Sequence, residues 1–204
     1  TDDDSYDATS LADGADVINL GVGNDSVSYR SRTAPLTVTA DGVADDGEAG
    51  EGDNIGVDVE QLDGGNGNDR MVATQSNAPT SLNGNGGNDT MTGGPNADEL
   101  DGDTGNDVLS GAGGNDTLRG RDGADTLDGG AGDDTLINNS STPDTDIFRG
   151  GADTDLLDYS RSAASVSVTL DDVANDGVAN ENDNVASDVE DVTGTVFDDR
   201  LTGN

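Results

Sequence analysis

Six aspartates, Asp89, Asp98, Asp107, Asp116, Asp125 and Asp134, follow one another at intervals of nine residues. Each stands five residues after a glycine, at Gly84, Gly93, Gly102, Gly111, Gly120 and Gly129. A second glycine precedes five of them by two residues, at Gly87, Gly105, Gly114, Gly123 and Gly132, while Asn96 takes that place before Asp98. Carboxylates on a fixed beat, set among glycines whose carbonyls have no side chain to cover them, form a donor set for a hard, oxygen-seeking cation. Calcium takes about six to eight such oxygens, from carboxylates and backbone carbonyls alike. The bland alternative is that each aspartate caps its own turn without a metal. That would explain one aspartate, but not a ladder of them.

Two residues after each aspartate comes an apolar side chain: Met91, Leu100, Leu109, Leu118, Leu127 or Leu136. With Gly84 as position 1, six nonapeptides run without a gap to Ile137, with Gly at position 1, Asp at 6 and Leu or Met at 8. One apolar residue in nine suits neither an amphipathic helix nor an alternating strand. It suits a three-residue strand at positions 7 to 9 with only position 8 pointing inward, preceded by a six-residue turn. Glycines at positions 1 and 4 permit positive φ and close backbone approach. Two nonapeptides then make a flat coil of 18 residues, and stacked coils make two parallel sheets about 4.8 Å from strand to strand. The expected class is all-β, a parallel β-roll or solenoid. Its core is a single line of side chains, and its stacked carboxylates repel one another, so a bound cation is needed to hold it.

The frame extends beyond the central block. It holds at 64–72, bringing in Asp69, and at 11–28, bringing in Asp16 and Asp25, where Leu11 and Leu20 stand at position 1. A degenerate form at 141–158 adds Asp146 and Asp155, with Asp144 and Asp153 at position 4. Residues 194–204 open a further repeat containing Asp199, as expected of an excerpt from a longer array.

A longer period overlies the short one, for residues 27–74 match 157–204 at an offset of 130. Two acidic inserts, 29–63 and 159–193, are thereby defined. Each opens with a strand-like alternation (Leu36/Val38; Val166/Val168/Leu170) and closes with Glu60 or Glu190 at position 6 and Leu62 or Val192 at position 8. The coil should therefore continue through the insert, with the acidic, glycine-rich middle bulging out as a loop. Asp46, Glu51 and Asp53, with their counterparts Asp176, Glu181 and Asp183, are either a non-EF calcium loop or a solvated one. An EF-hand is excluded at Asp172–Asp183 because Ala174 fills its third position, Gly42 opens the other copy, and no flanking helices are predicted.

Composition bounds the function. Forty-four acidic residues against eight basic ones give a formal charge of −36, which repels nucleic acid and anionic membranes. No apolar run approaches the length of a bilayer span. Histidine, cysteine and lysine are absent. The usual general bases and thiol nucleophiles are therefore missing, and a non-catalytic protein is expected.

The segments GAGGNDTLR and GGAGDDTLI resemble the glycine- and aspartate-rich repeats of the repeats-in-toxin (RTX) family, GGxGxDxUx. The inserts resemble spacers of large bacterial calcium-binding proteins of that type. The resemblance implies a right-handed parallel β-roll with calcium between turns stacked on the same side. Each ion would lie between one repeat and the second repeat on, pairing Asp89 with Asp107, Asp98 with Asp116, Asp107 with Asp125 and Asp116 with Asp134. The other ligands would be backbone carbonyls of the turns at Gly84, Gly86, Gly87, Gly102, Gly105, Gly111, Gly113, Gly114, Gly120, Gly123, Gly129 and Gly132. It also implies a secreted or cell-surface protein whose module folds on extracellular calcium as a structural or adhesive segment. Its partners would be copies of itself or other matrix components. The alternatives are the non-catalytic module of a secreted enzyme or toxin and, less in keeping with the mixed position 7, an ice-binding roll.

Overall fold

A computed structural model of the chain describes residues 3–8, 14–73, 78–141 and 143–203. Leu11, at the start of the first repeat, lies outside the described residues, as do Thr142 and Asn204 in the later repeats.

Short strands recur on the nine-residue beat: Ser81–Asn83, Thr90–Thr92, Glu99–Asp101, Val108–Gly113, Thr117–Arg119, Thr126–Ala131 and Thr135–Ile137. They alternate between two sheets. In one, Leu100 faces Leu118 and Leu118 faces Leu136. In the other, Met91 faces Leu109 and Leu109 faces Leu127. The step of 18 residues is two nonapeptides per coil. Because the chain returns to a given sheet only after a full coil, neighbouring repeat strands run parallel. The molecule is a parallel β-roll.

Its core is the line of position-8 side chains. Met71, Leu82, Met91, Leu100, Leu109, Leu118, Leu127, Leu136, Phe148 and Leu157 are each at most 1% exposed, and they form one continuous hydrophobic cluster. Positions 7 and 9 of the same strands are half-buried or exposed, except for the buried Ile137. Three additional residues, 138–140, lengthen one turn, and the register steps from 18 to 21 there, pairing Leu127 with Phe148 and Leu136 with Leu157.

The acidic inserts do not bulge out as loops. Leu36–Thr39 pairs in parallel with Arg70–Val72, and Asn54–Ile55 pairs in parallel with Val17–Ile18. One insert thus supplies two rungs to the same side of the roll, with Gly47–Glu48 folded back antiparallel on the first. The second insert repeats this, with Val166–Thr169 on Arg200–Thr202 and Asn184–Val185 on the strand Ile147–Ala152. Gln61–Asp63 and Asp191–Thr193 then rejoin the first sheet, so the coil does continue through both inserts.

The physical reason lies in the buried acids themselves. Asp46 Oδ1 accepts the Thr39 N–H (2.5 Å) and Oδ2 accepts the Ile55 N–H (2.9 Å), joining the two rungs of the insert. Asp176 does the same for Thr169 (2.7 Å) and Val185 (3.1 Å). Each carboxylate ties two rungs together by accepting a backbone N–H from both, although burial still raises its pKa above the ordinary value.

Candidate metal centre

The position-6 aspartates form two ladders, one along each edge of the roll. On the first, Asp107 Oδ1 accepts the N–H of Asp89 (2.8 Å), Asp125 that of Asp107 (2.8 Å) and Asp146 that of Asp125 (2.9 Å). On the second, Asp116 accepts from Asp98 (2.7 Å), Asp134 from Asp116 (2.7 Å) and Asp155 from Asp134 (2.9 Å). Each carboxylate therefore reaches back one coil with one oxygen. Both ladders continue beyond the central block, where Asp155 N–H donates to Glu190 Oε2 (2.9 Å).

The second oxygen divides the aspartates into two classes. Oδ2 of Asp25, Asp89, Asp107, Asp116, Asp125, Asp134 and Asp155 is buried and accepts no hydrogen bond. Oδ2 of Asp69, Asp98 and Asp199 instead accepts the position-2 N–H of its own turn, from Gly65 (2.6 Å), Gly94 (2.5 Å) and Thr195 (2.7 Å). These three behave as turn caps.

Backbone conformation separates the classes. In the first, except at Asp25, where Gly21 alone is left-handed, positions 2 and 4 are both left-handed: Asn85 and Gly87, Asp103 and Gly105, Ala112 and Gly114, Arg121 and Gly123, Gly130 and Gly132, Gly151 and Asp153. Asn96 was expected to take this conformation and does not. Pro95 fixes its own φ and pushes Gly94 toward extended backbone, so this turn closes on its aspartate instead. Asp153 does take it (φ 84°), and the turn before Asp155 is formed like the central ones.

Except at Asp25, whose repeat opens with Leu20, glycine at position 1 keeps a notch open beside each free oxygen. A Cβ on Gly84 would overlap Asp89 Oδ2 and stand 2.9 Å from the Gly102 carbonyl oxygen; on Gly102 it would meet Asp107 Oδ2 and the Gly120 carbonyl in the same way. The pattern recurs for Gly111 with Asp116 and Gly129, and for Gly129 with Asp134 and Gly150. At position 4 a Cβ on Gly105 or Gly123 would overlap the carbonyl of the glycine one coil below. At position 3, Gly86, Thr104 and Asp122 pair in one bridged line, so glycine is not required there.

Position 2 was unconstrained in the sequence pattern, yet it holds non-glycine residues at positive φ. Ala112 (φ 77°) is exposed and gains no side-chain hydrogen bond for this cost. Ala112→Gly should therefore stabilise the folded roll by about 0.5–1 kcal/mol, since relief of left-handed strain exceeds the added entropy of glycine. Chemical denaturation in calcium would show it, and a lowered midpoint would contradict this account.

Burial pushes Asp89, Asp116 and Asp125 up to about 7, and Asp107 and Asp134 up to about 6, with nearby carboxylates adding to the shift and backbone N–H groups opposing it. A row of oxygens this costly to ionise fits a cation that neutralises it. Among the described residues no three acidic side chains converge on one point. Any ion must therefore take most of its oxygens from the turn carbonyls, as calcium readily does.

A family model of the RTX calcium-binding nonapeptide repeat matches the chain in four copies, at residues 12–28, 60–77, 80–109 and 101–136. These are RTX repeats. RTX nonapeptides bind calcium, so calcium is the ion of this roll, held in multiple copies. No curated protein matches the chain significantly.

The residues outside the central RTX block divide sharply. Asp25 has a free buried oxygen, but Asp16 Oδ2 accepts the Tyr6 hydroxyl (2.7 Å). Asp146 is pushed up to about 9 by burial and by the charges of Asp183, Asp125 and Asp144. Its Oδ2 and that of Asp183 share the amide of Asn138 (3.4 and 3.3 Å).

The insert acids are tied within the fold. Asp53 bonds the Asp16 N–H (3.0 Å) and the Tyr29 hydroxyl (2.8 Å), and Asp183 bonds the Asp146 N–H (3.0 Å) and the Tyr159 hydroxyl (2.9 Å). Glu51 bonds Arg32 (2.6 Å) and the Glu48 N–H (2.9 Å). Glu181 Oε2 accepts the Val178 N–H (2.5 Å). Asp46, Glu51, Asp53, Asp176, Glu181 and Asp183 are thus neither a solvated loop nor a row of free oxygens.

Asn138, Tyr29 and Tyr159 escaped the sequence reading; the only signal for the tyrosines was their recurrence at the 130-residue offset. A further ladder also escaped it. At position 5, Asn68 accepts the Asn88 N–H (2.9 Å), Asn88 that of Asn106 (2.9 Å) and Asn106 that of Ala124 (3.0 Å), lining the outer edge of the turns.

Proposed function

We propose that this module is a calcium-gated structural segment of a secreted or cell-surface protein. At low calcium it is disordered; in extracellular calcium it becomes a stiff roll. The observation that supports this most directly is the row of buried Oδ2 atoms with no hydrogen-bond partner. A buried, unpaired carboxylate oxygen costs several kcal/mol. A chain that buries six or more in register is stable only with counter-charge in place, and ion binding then becomes folding free energy.

In this reading Asp89, Asp107, Asp116, Asp125, Asp134, Asp155 and Asp25 supply the carboxylate ligands. Carbonyls of the position-1 glycines one coil on, such as Gly102, Gly120, Gly129 and Gly150, supply part of the remainder. Asp69, Asp98 and Asp199 cap turns, Asp16 serves Tyr6, and the insert acids are structural. The protein-level role is non-catalytic: a spacer or adhesive rod whose two acidic inserts add rungs on one side. An ice-binding face finds no support, because outward position 7 carries Thr90, Val108, Thr126 and Ile147 along one sheet and Glu99, Thr117, Thr135 and Leu156 along the other.

The test is far-ultraviolet circular dichroism of the protein in chelator, followed by titration into millimolar calcium. A disordered spectrum should convert cooperatively to a β spectrum. A β spectrum in chelator at neutral pH, unchanged by calcium, would overturn the proposal.

A further inference from the structure

The two inserts are copies of one another, and among their buried differences one changes charge. In the first, Arg32 is completely buried, with Nη2 2.6 Å from Glu51 Oε1, Nη1 3.2 Å from Glu48 Oε1, and its guanidinium carbon 5.9 Å from the centre of the Tyr29 ring. In the second, the glutamate persists as Glu181, 7% exposed, and its Oε2 is held by the Val178 N–H just as Glu51 Oε2 is held by the Glu48 N–H. The tyrosine persists as Tyr159. Arg32, however, is replaced by Ser162 and Glu48 by Val178. The guanidinium and one of its two carboxylates have gone together, leaving one negative charge.

What remains is a cavity of about 120 Å³, lined by Ser162, Val178 and Glu181, the counterparts of the whole Arg32 cluster, and by Ser140, Ser141 and Pro143 of the adjoining turn. Its mouth lies at the exposed Ser141 and Ala163. Replacement of a buried ion pair by apolar packing would have removed the second glutamate and filled the space. Here the carboxylate and the space both persist. Ser140 and Ser141, whose hydroxyls donate to Asp144 (2.8 Å) and Asp122 (2.6 Å), line it with Ser162, and Pro143 and Val178 add apolar surface.

We infer that this cavity is a guanidinium-binding site, in which Glu181 Oε1 receives the group that Glu51 Oε1 receives from Arg32. One planar monovalent cation would restore both charge balance and packing. It can come from a small guanidinium compound or from an arginine side chain of a second copy of this chain.

The experiment is amide nuclear magnetic resonance on the folded, calcium-loaded protein titrated with guanidinium chloride, with ammonium chloride as control. Saturable shifts are expected at Ser162, Val178 and Glu181, with a Kd on the order of 1–10 mM. None is expected at Glu48 or Glu51, whose site Arg32 fills. Glu181→Gln, which keeps the shape and removes the charge, should abolish the shifts at least tenfold in affinity. The same shifts appearing on concentration of the protein alone would identify a second copy as the source; their absence would identify the small solute. No shifts up to about 20 mM guanidinium, about twice the upper end of the expected range, would overturn the inference. So would equal shifts with ammonium, unchanged shifts in Glu181→Gln, or shifts caused by excess calcium that block guanidinium.

Discussion

Asp107→Ala should raise the calcium concentration at the folding midpoint by about tenfold to a hundredfold, whereas Asp98→Ala should change it by no more than a few-fold. The two residues occupy the same position of successive repeats and are both buried. They differ in their second oxygen. Asp107 Oδ2 has no partner in the protein, while Asp98 Oδ2 accepts the Gly94 N–H (2.5 Å). Loss of a charged interaction is worth about 1.5–3 kcal/mol, and each 1.4 kcal/mol is a factor of about ten.

Asp107 also caps the Asp89 N–H (2.8 Å), so its loss disturbs the notch at Gly84 as well as that at Gly102. Asp98→Ala removes a turn cap, costing about 1 kcal/mol of folding in calcium without deleting a free oxygen. Calcium titrations of both variants by circular dichroism make the comparison. Equal displacement of the two midpoints would show that Oδ2 pairing does not distinguish ligands from caps.

The contrast between these two aspartates marks how far the sequence could be read. The nine-residue beat was enough for the coil, the parallel sheets and the inward line from Leu82 to Leu157, because a period with one apolar residue leaves few ways to bury it. It could not separate Asp98 from Asp107. That difference lies in the turn backbone, where Pro95 disfavours a left-handed Gly94, and it shows only in the direction of one N–H. Asp155 looked doubtful because Asp153 replaces glycine, yet aspartate tolerates positive φ well enough for the turn to form. The inserts misled for another reason. A run such as ADDGEAGEGD has the composition of a solvated loop, and composition carries no information about which backbone donors its carboxylates will meet. Asp46 and Asp53 are buried because the hairpin brings Thr39, Ile55 and Tyr29 to them, contacts that depend on the stacked coils.

Calcium should abolish the response of the roll to pH. In chelator, folding should be favoured near pH 4 to 5 and lost as the pH rises through 6 to 7. In saturating calcium, stability should instead be flat over that interval. Asp89, Asp107, Asp116, Asp125 and Asp134 sit at about 6 to 7 in the metal-free fold, against 3.8 for an ordinary aspartate. Between these values the folded chain holds protons that the unfolded chain has released. Unfolding then releases protons, so stability falls as pH rises, by up to about 1.4 kcal/mol per pH unit for each group. The benefit is complete below the unfolded value and gone above the folded one. Bound calcium keeps the carboxylates ionised, so through this window neither the calcium-loaded roll nor the unfolded chain holds these protons and the slope vanishes. Thermal unfolding followed by circular dichroism from pH 5.5 to 7.5 should give a falling stability with chelator and a flat one with saturating calcium. An equally steep fall in both would mean that the protonated ladder and the calcium-bound ladder are not alternative solutions to one buried row of charge.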